Sequence, residues 1–123
     1  MKIIIDTHIF LWALAEPTKM ERNKRTALET VANTIYVSSI TIVEIMMKAS
    51  LGKLAINFDP VEMAQKSGFE LLDFSPQDVL PLKEMPFHHK DPFDRMLIAQ
   101  SISRKYLIMT HDSKFSLYDC KLV

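Results

Sequence analysis

Lys2-Ile3-Ile4-Ile5-Asp6-Thr7-His8-Ile9-Phe10-Leu11-Trp12-Ala13-Leu14 opens the chain with an apolar run, an acid and an apolar helical stretch. Ile3-Ile4-Ile5 reads as a short buried strand, and residues 8–15 as a helix that Pro17 ends. Near the other end, Leu107-Ile108-Met109-Thr110 is a second such run, and it leads into His111-Asp112. In an open parallel sheet, ligands bind just beyond the carboxyl ends of the strands, where Asp6 and Asp112 would stand. Carboxylates brought together there raise each other's pKa unless something positive sits beside them. A hard divalent cation with oxygen ligands is the simplest compensation.

Between these two runs, strand and helix signals alternate. Residues 20–32 carry Met20, Ala27, Leu28, Val31 and Ala32 amid charged residues, as a surface helix does. Ile35-Tyr36-Val37 is a short strand. Ser39 is read as the cap of a helix running to about Ser50, which Gly52 closes. Asp59-Pro60, Ser75-Pro76 and Asp91-Pro92 each combine a capping side chain with proline at the first helical position. Phe69–Leu72 is a strand between the first two of these helices, the third runs to about Lys105, and Leu122-Val123 is a possible last edge strand. Such alternation implies a mainly parallel central sheet with helices on both faces, a three-layer α/β/α architecture forming one domain over residues 1–123. Right-handed crossovers bring the carboxyl ends of the strands to one edge.

The composition, with 24% charged and 48% hydrophobic residues, is that of an ordinary soluble protein. With only two glycines, there is no phosphate-cradling loop. No apolar stretch approaches ~18 residues, so no membrane span is expected. The strand-like N-terminus shows no signal peptide, and the lone Cys120 fits a reducing, cytoplasmic setting as a small apolar side chain. Net charge is zero, from fifteen basic and fifteen acidic residues. Setting aside four candidate site acids leaves eleven acids against fifteen basic residues, a remainder compatible with a phosphate-backbone ligand.

Those four acids are Asp6, Glu44, Asp94 and Asp112, and each has a plainer reading. Asp6 is positioned as a helix N-cap and Asp112 as a turn residue. Glu44 lies in Thr41-Ile42-Val43-Glu44-Ile45-Met46-Met47, too apolar a setting for an unpaired carboxylate. Its plain partner is Lys48, one turn on. Asp94 suits the positive end of its helix, with Asp91 as the cap. Four such explanations holding together are less economical than one metal site. No Ser/His or Cys/His arrangement competes. Adjacent His88 and His89 point in different directions on most backbones, which argues against a transition-metal site. Trp12 and the methionines read as core, and Lys19, Arg22, Lys24 and Arg25 as a solvated helix face.

Ile5-Asp6-Thr7-His8-Ile9-Phe10-Leu11-Trp12-Ala13-Leu14 resembles the opening of a PIN-domain protein of the VapC toxin type. Val37-Ser38-Ser39 leading to Glu44-Ile45 and Lys48, then Leu51-Gly52-Lys53-Leu54, resembles it further. So does His88-His89-Lys90-Asp91-Pro92-Phe93-Asp94-Arg95-Met96-Leu97-Ile98-Ala99-Gln100, followed by Thr110-His111-Asp112. The resemblance covers nearly the whole chain in order. It implies an α/β/α fold and a Mg²⁺- or Mn²⁺-dependent endoribonuclease that hydrolyses RNA with metal-activated water. Asp6, Glu44 and Asp94 match the metal-binding acids most firmly, and the family is looser at Asp112. A cognate antitoxin and a homodimer are implied as partners. Arg95, Lys48 and Lys90 are candidates to contact phosphates, each with a neighbouring acid as the alternative.

Three alternatives bear on the same acids. A Mg²⁺-binding receiver-like signalling domain needs an Asp at a mid-chain strand end, where this chain has Ser38-Ser39. A phosphatase of the haloacid dehalogenase kind needs an Asp two residues after Asp6, where this chain has His8. A catalytically inactive PIN-like module that binds RNA or protein would retain the fold without needing all four acids.

Overall fold

Four short strands, β1 (Lys2–Ile5), β2 (Thr34–Ser38), β3 (Glu70–Leu72) and β4 (Leu107–Met109), build one sheet in the computed structural model, which describes residues 1–123. Every pairing is parallel, and the spatial order is β3-β2-β1-β4. The chain thus steps outward from β1 through β2 to β3, then returns across β1 to lay down β4. The reversal lies between β1 and β4, and a crevice opens at such a switch point beyond the strand ends. Register sharpens this, since Ile5 pairs with Met109 and the Asp6 amide donates to the Met109 carbonyl at 3.0 Å. Asp6 and Thr110 therefore leave the sheet side by side.

Why the runs are apolar at every position follows from the two cores. Ile3 and Ile5 face one layer with Ile9, Phe10, Ile35, Val37 and Ile45. Ile4 faces the other with Leu97, Ile98, Ile108 and Phe115. A strand buried on both sides has no polar face.

Six helices cover the sheet: α1 (Thr7–Ala15), α2 (Arg22–Glu29), α3 (Ser39–Ser50), α4 (Pro60–Lys66), α5 (Pro76–Val79) and α6 (Pro92–Arg104). All three proline start signals hold, with Asp59, Ser75 and Asp91 as the caps. Four expectations are corrected. Ser38, not Ser39, caps α3: its hydroxyl accepts from the Ile40 amide at 3.1 Å, while Ser39 donates to the Leu72 carbonyl. The surface helix is only Arg22–Glu29, because Pro17–Lys19 forms a separate 3-10 turn and Thr30 caps the end, leaving Val31 in solvent. Leu122 contributes a single parallel bridge to Ile108 rather than a strand. Lys24 is buried and paired with Glu21, so that helix face is not uniformly solvated.

A polar network ties α5 to α6. Asp78 is wholly buried, and its carboxylate accepts from Arg104 Nε at 3.0 Å, Arg104 Nη2 at 3.1 Å, Gln100 at 3.3 Å and the Ser75 amide at 2.9 Å. Burial alone would raise its pKa, but these donors win and hold it at about 2, below the ordinary 3.8. Asp78→Ala is expected to destabilise the fold by about 3 kcal/mol, since it strands the Arg104 fork and the half-buried Ser75 amide. An acid with a depressed folded pKa stabilises above its unfolded value and loses that contribution as pH falls. Urea midpoints of wild type and Asp78→Asn should therefore converge between pH 4 and 2. A constant gap across that window would show that the carboxylate is not what the network holds.

Candidate active site

Each acid is delivered by a different piece of local structure. Asp6 caps α1: one carboxylate oxygen accepts from the Ile9 amide at 2.9 Å, the other from the Thr110 hydroxyl at 2.6 Å. Burial nevertheless pushes its pKa up, outweighing those two donors. Asp112 caps a 3-10 turn, Ser113–Leu117, accepting from the Lys114 amide at 2.9 Å. Burial opposes its charge, but that amide and His89 together hold its pKa below the ordinary value. Asp91 is the cap of α6, accepting from the Phe93 and Asp94 amides, and it frees Asp94 to face the crevice.

Asp94 carries the electrostatic signature of the site. Its carboxyl is pushed up to about 8, first by burial and then by the negative charges of Asp91, Asp6, Glu44 and Asp112. Asp94 therefore feels the charge of each of the other three predicted acids. Glu44 is reached from α3, buried as its apolar segment required. The Thr7 hydroxyl donates to one of its oxygens at 2.7 Å, and the Lys48 ammonium pairs with the other. Glu44 in turn raises the Lys48 pKa. The plain partner, Lys48, is thus present, and the Glu44 charge also reaches Asp94.

Three residues were missed or misassigned. His89 is buried and aimed at the acids: Nε2 lies 2.8 Å from Asp112 and 3.1 Å from Asp94. The Asp91 amide donates to Nδ1 at 3.2 Å, so the ring proton is assigned to Nε2, which donates to the carboxylates. His88 does point elsewhere, against Tyr118, but that divergence is what lets His89 face inward. Only its place beside Asp91-Pro92 hinted at this. Arg95 is no phosphate ligand: it is buried, donates to the Pro86 carbonyl at 2.8 Å and lies over the Phe87 ring. Trp12 is only half-buried and lines the cleft as well as touching the core.

The cleft itself has a volume of about 340 Å³ and is lined by Asp6, His8, Trp12, Asp94, His111 and Asp112. At ~30 Å³ per water it has room for a hydrated ion and a phosphate group. The donor set fits a hard divalent cation. Its free ligand atoms are carboxylate oxygens, the His89 nitrogen is spent as a donor, and a carboxyl near 8 marks negative charge that the chain leaves uncompensated.

The family model of the PIN domain matches residues 3–120. The chain belongs to the PIN-domain family, whose members are generally nucleases that hydrolyse phosphodiester bonds. Its fold is shared with VapBC2 from Rickettsia felis bound to a DNA fragment from their promoter, at TM-score 0.71 and 19% identity over 100% of this chain and 98% of that one. DNA-bound VapBC from Salmonella typhimurium follows at TM-score 0.69 and 18% identity, covering 100% of this chain and 97% of the other. The PIN domain endonuclease Utp24 is similar at TM-score 0.50 and 20% identity, over 94% of this chain and 74% of that one. Comparison with curated protein sequences gives no significant match. Family membership leaves the receiver-like and phosphatase readings without support. No helix is long and apolar enough to cross a membrane.

Proposed function

We propose that this chain is a Mg²⁺-dependent endoribonuclease, the toxin of a toxin–antitoxin pair, acting in the cytoplasm. One observation carries the reading: in a cleft shared with Asp6 and Asp112, burial and then the charges of Asp91, Asp6, Glu44 and Asp112 raise the Asp94 carboxyl to about 8. Asp6, Glu44, Asp94 and Asp112 would hold the ion, Mn²⁺ being an alternative. A bound divalent ion supplies a lowered water pKa and stabilisation of the leaving oxygen in phosphodiester hydrolysis.

The chain's own groups do the rest. Thr110 and Thr7 fix the Asp6 and Glu44 carboxylates with hydroxyl donors that add no charge. Asp94 carries a proton near neutrality that an incoming cation would displace. The Lys48 ammonium holds one Glu44 carboxylate oxygen in place from the next turn of α3. The likeness to VapBC structures supports an antitoxin as protein partner, and a second copy of the chain is the other partner proposed.

Single-stranded RNA incubated with the protein and Mg²⁺ should be cut internally. Asp6→Asn and Glu44→Gln should each lower that rate by more than about 100-fold, beyond what loss of a supporting residue around a metal costs. EDTA should stop cleavage, and Mg²⁺ or Mn²⁺ should restore it. Cleavage that persists in EDTA, or in both variants, would sink the proposal.

A further inference from the structure

Beside the acids, the cleft has an aromatic wall that hydrolysis itself does not need. His8 and Trp12 lie one turn apart on α1, so they share a face, and their ring centroids are 6.2 Å apart at 62°. His111 approaches Trp12 from the loop after β4, at 5.0 Å and 64°. Each segment that supplies an aromatic also supplies an acid, two residues from His8 in Asp6 and one residue from His111 in Asp112. The wall is therefore held at a fixed offset from the carboxylates.

A purely structural role for this trio explains only part of it. Trp12 does touch the core, but both histidines are exposed and both rings meet the indole edgewise. Neither imidazole has taken the parallel position that a flat ring would occupy. A phosphate held against the acids by a divalent ion would leave its nucleotide's base within reach of the neighbouring wall, which lines the same cleft. Base stacking on an aromatic side chain tolerates any sequence and needs a base already out of a duplex.

We infer that Trp12, flanked by His8 and His111, is a stacking platform for an unpaired RNA base next to the scissile phosphate. This rests on the ribonuclease reading and adds the side chains that seat the base beside the cut.

Trp12 is the only tryptophan, so its fluorescence reports the platform directly. Wild-type protein in Ca²⁺, titrated with a mixed-sequence single-stranded oligoribonucleotide, should show saturable quenching. A blunt RNA duplex of the same sequence should give none. In Mg²⁺ cleavage assays, Trp12→Ala should raise KM by about 5- to 100-fold, the range that loss of one base stack gives, with a much smaller change in kcat. Trp12→Phe should recover part of that loss. His111→Ala, at an exposed position where folding is not in question, should raise KM more modestly. Equal quenching by the duplex, absent quenching by the single strand, or an unaltered KM in both alanine variants overturns the platform. These outcomes are separate from failure of the parent reading, which shows as no metal-dependent cleavage by the wild type.

Discussion

Asp94→Asn is expected to abolish RNA cleavage and, in the same molecule, to raise thermal stability in EDTA at alkaline pH. The second half follows from the sign of the pKa shift. The Asp94 carboxyl stands at about 8 in the folded protein against an ordinary 3.8, because burial and four neighbouring acids oppose its charge. Between those values the folded chain holds a proton that the unfolded chain has released, so stability declines as pH rises from about 4 to about 8. An amide has no such proton to lose. The opposing effect is the helix dipole, which favours a negative charge at this third position of α6 by only about 0.3–1 kcal/mol. A shift of several pKa units, at 1.36 kcal/mol each, is on the order of several kcal/mol and outweighs it. The variant's melting temperature should exceed the wild type's by about 5 °C or more at pH 8.5 in EDTA, and the gap should close towards pH 4. Added Mg²⁺ should raise the melting point of wild type, since a ligand bound only to the folded state stabilises it, and do little for the variant. A variant that melts below wild type at pH 8.5 would mean that Asp94 serves its helix and not a shared site.

Asp94 and the other three acids could be read from the sequence, while the groups that support them could not. Asp91-Pro92 announces a helix start, proline at the first turn fixes Asp91 as the cap, and Asp94 is left over. Asp6 and Asp112 are legible because apolar runs buried on both faces reveal where strands end. Glu44 is legible because its neighbours are too apolar to leave a carboxylate unpaired. These are local signals, and local signals survive in a sequence. The supports of the site are not local. Thr7 reaches Glu44 across 37 residues and Thr110 reaches Asp6 across 104, and a threonine carries no mark of the partner it will meet. The same limit hid the Asp78–Arg104 network, which joins side chains 26 residues apart. The Ser38–Ser39 choice failed for a smaller reason: either serine suits a cap, and the extra residue of β2 decided it.

His89→Ala is expected to cost cleavage about 10- to 100-fold, as loss of a residue that orients metal-binding carboxylates does elsewhere. The geometry makes His89 a positioning residue. Its Nδ1 accepts from the Asp91 amide, its Nε2 donates towards Asp112 and Asp94, and its ring edge rests against Phe115. The capping loop of α6 thereby fixes an imidazole that in turn fixes the two acids on either side of the crevice. Asp112 gains most, since its side chain is the more exposed of the two and sits on a short 3-10 turn. Without the ring, Asp112 should sample other rotamers and the ion should bind more weakly. The Mg²⁺ concentration for half-maximal cleavage should then rise by about tenfold or more, with a smaller loss at saturating metal. His89→Gln, whose amide can still donate from a similar reach, should recover part of the affinity. Nitrogen-15 NMR of the wild type should show the His89 ring proton on Nε2, and calorimetric titration with Mn²⁺ reads affinity without any turnover. A merely structural His89 would lower the melting point and leave Mn²⁺ affinity untouched. A proton found on Nδ1 would break the donor assignment outright, because Nε2 would then be free to ligate the ion itself.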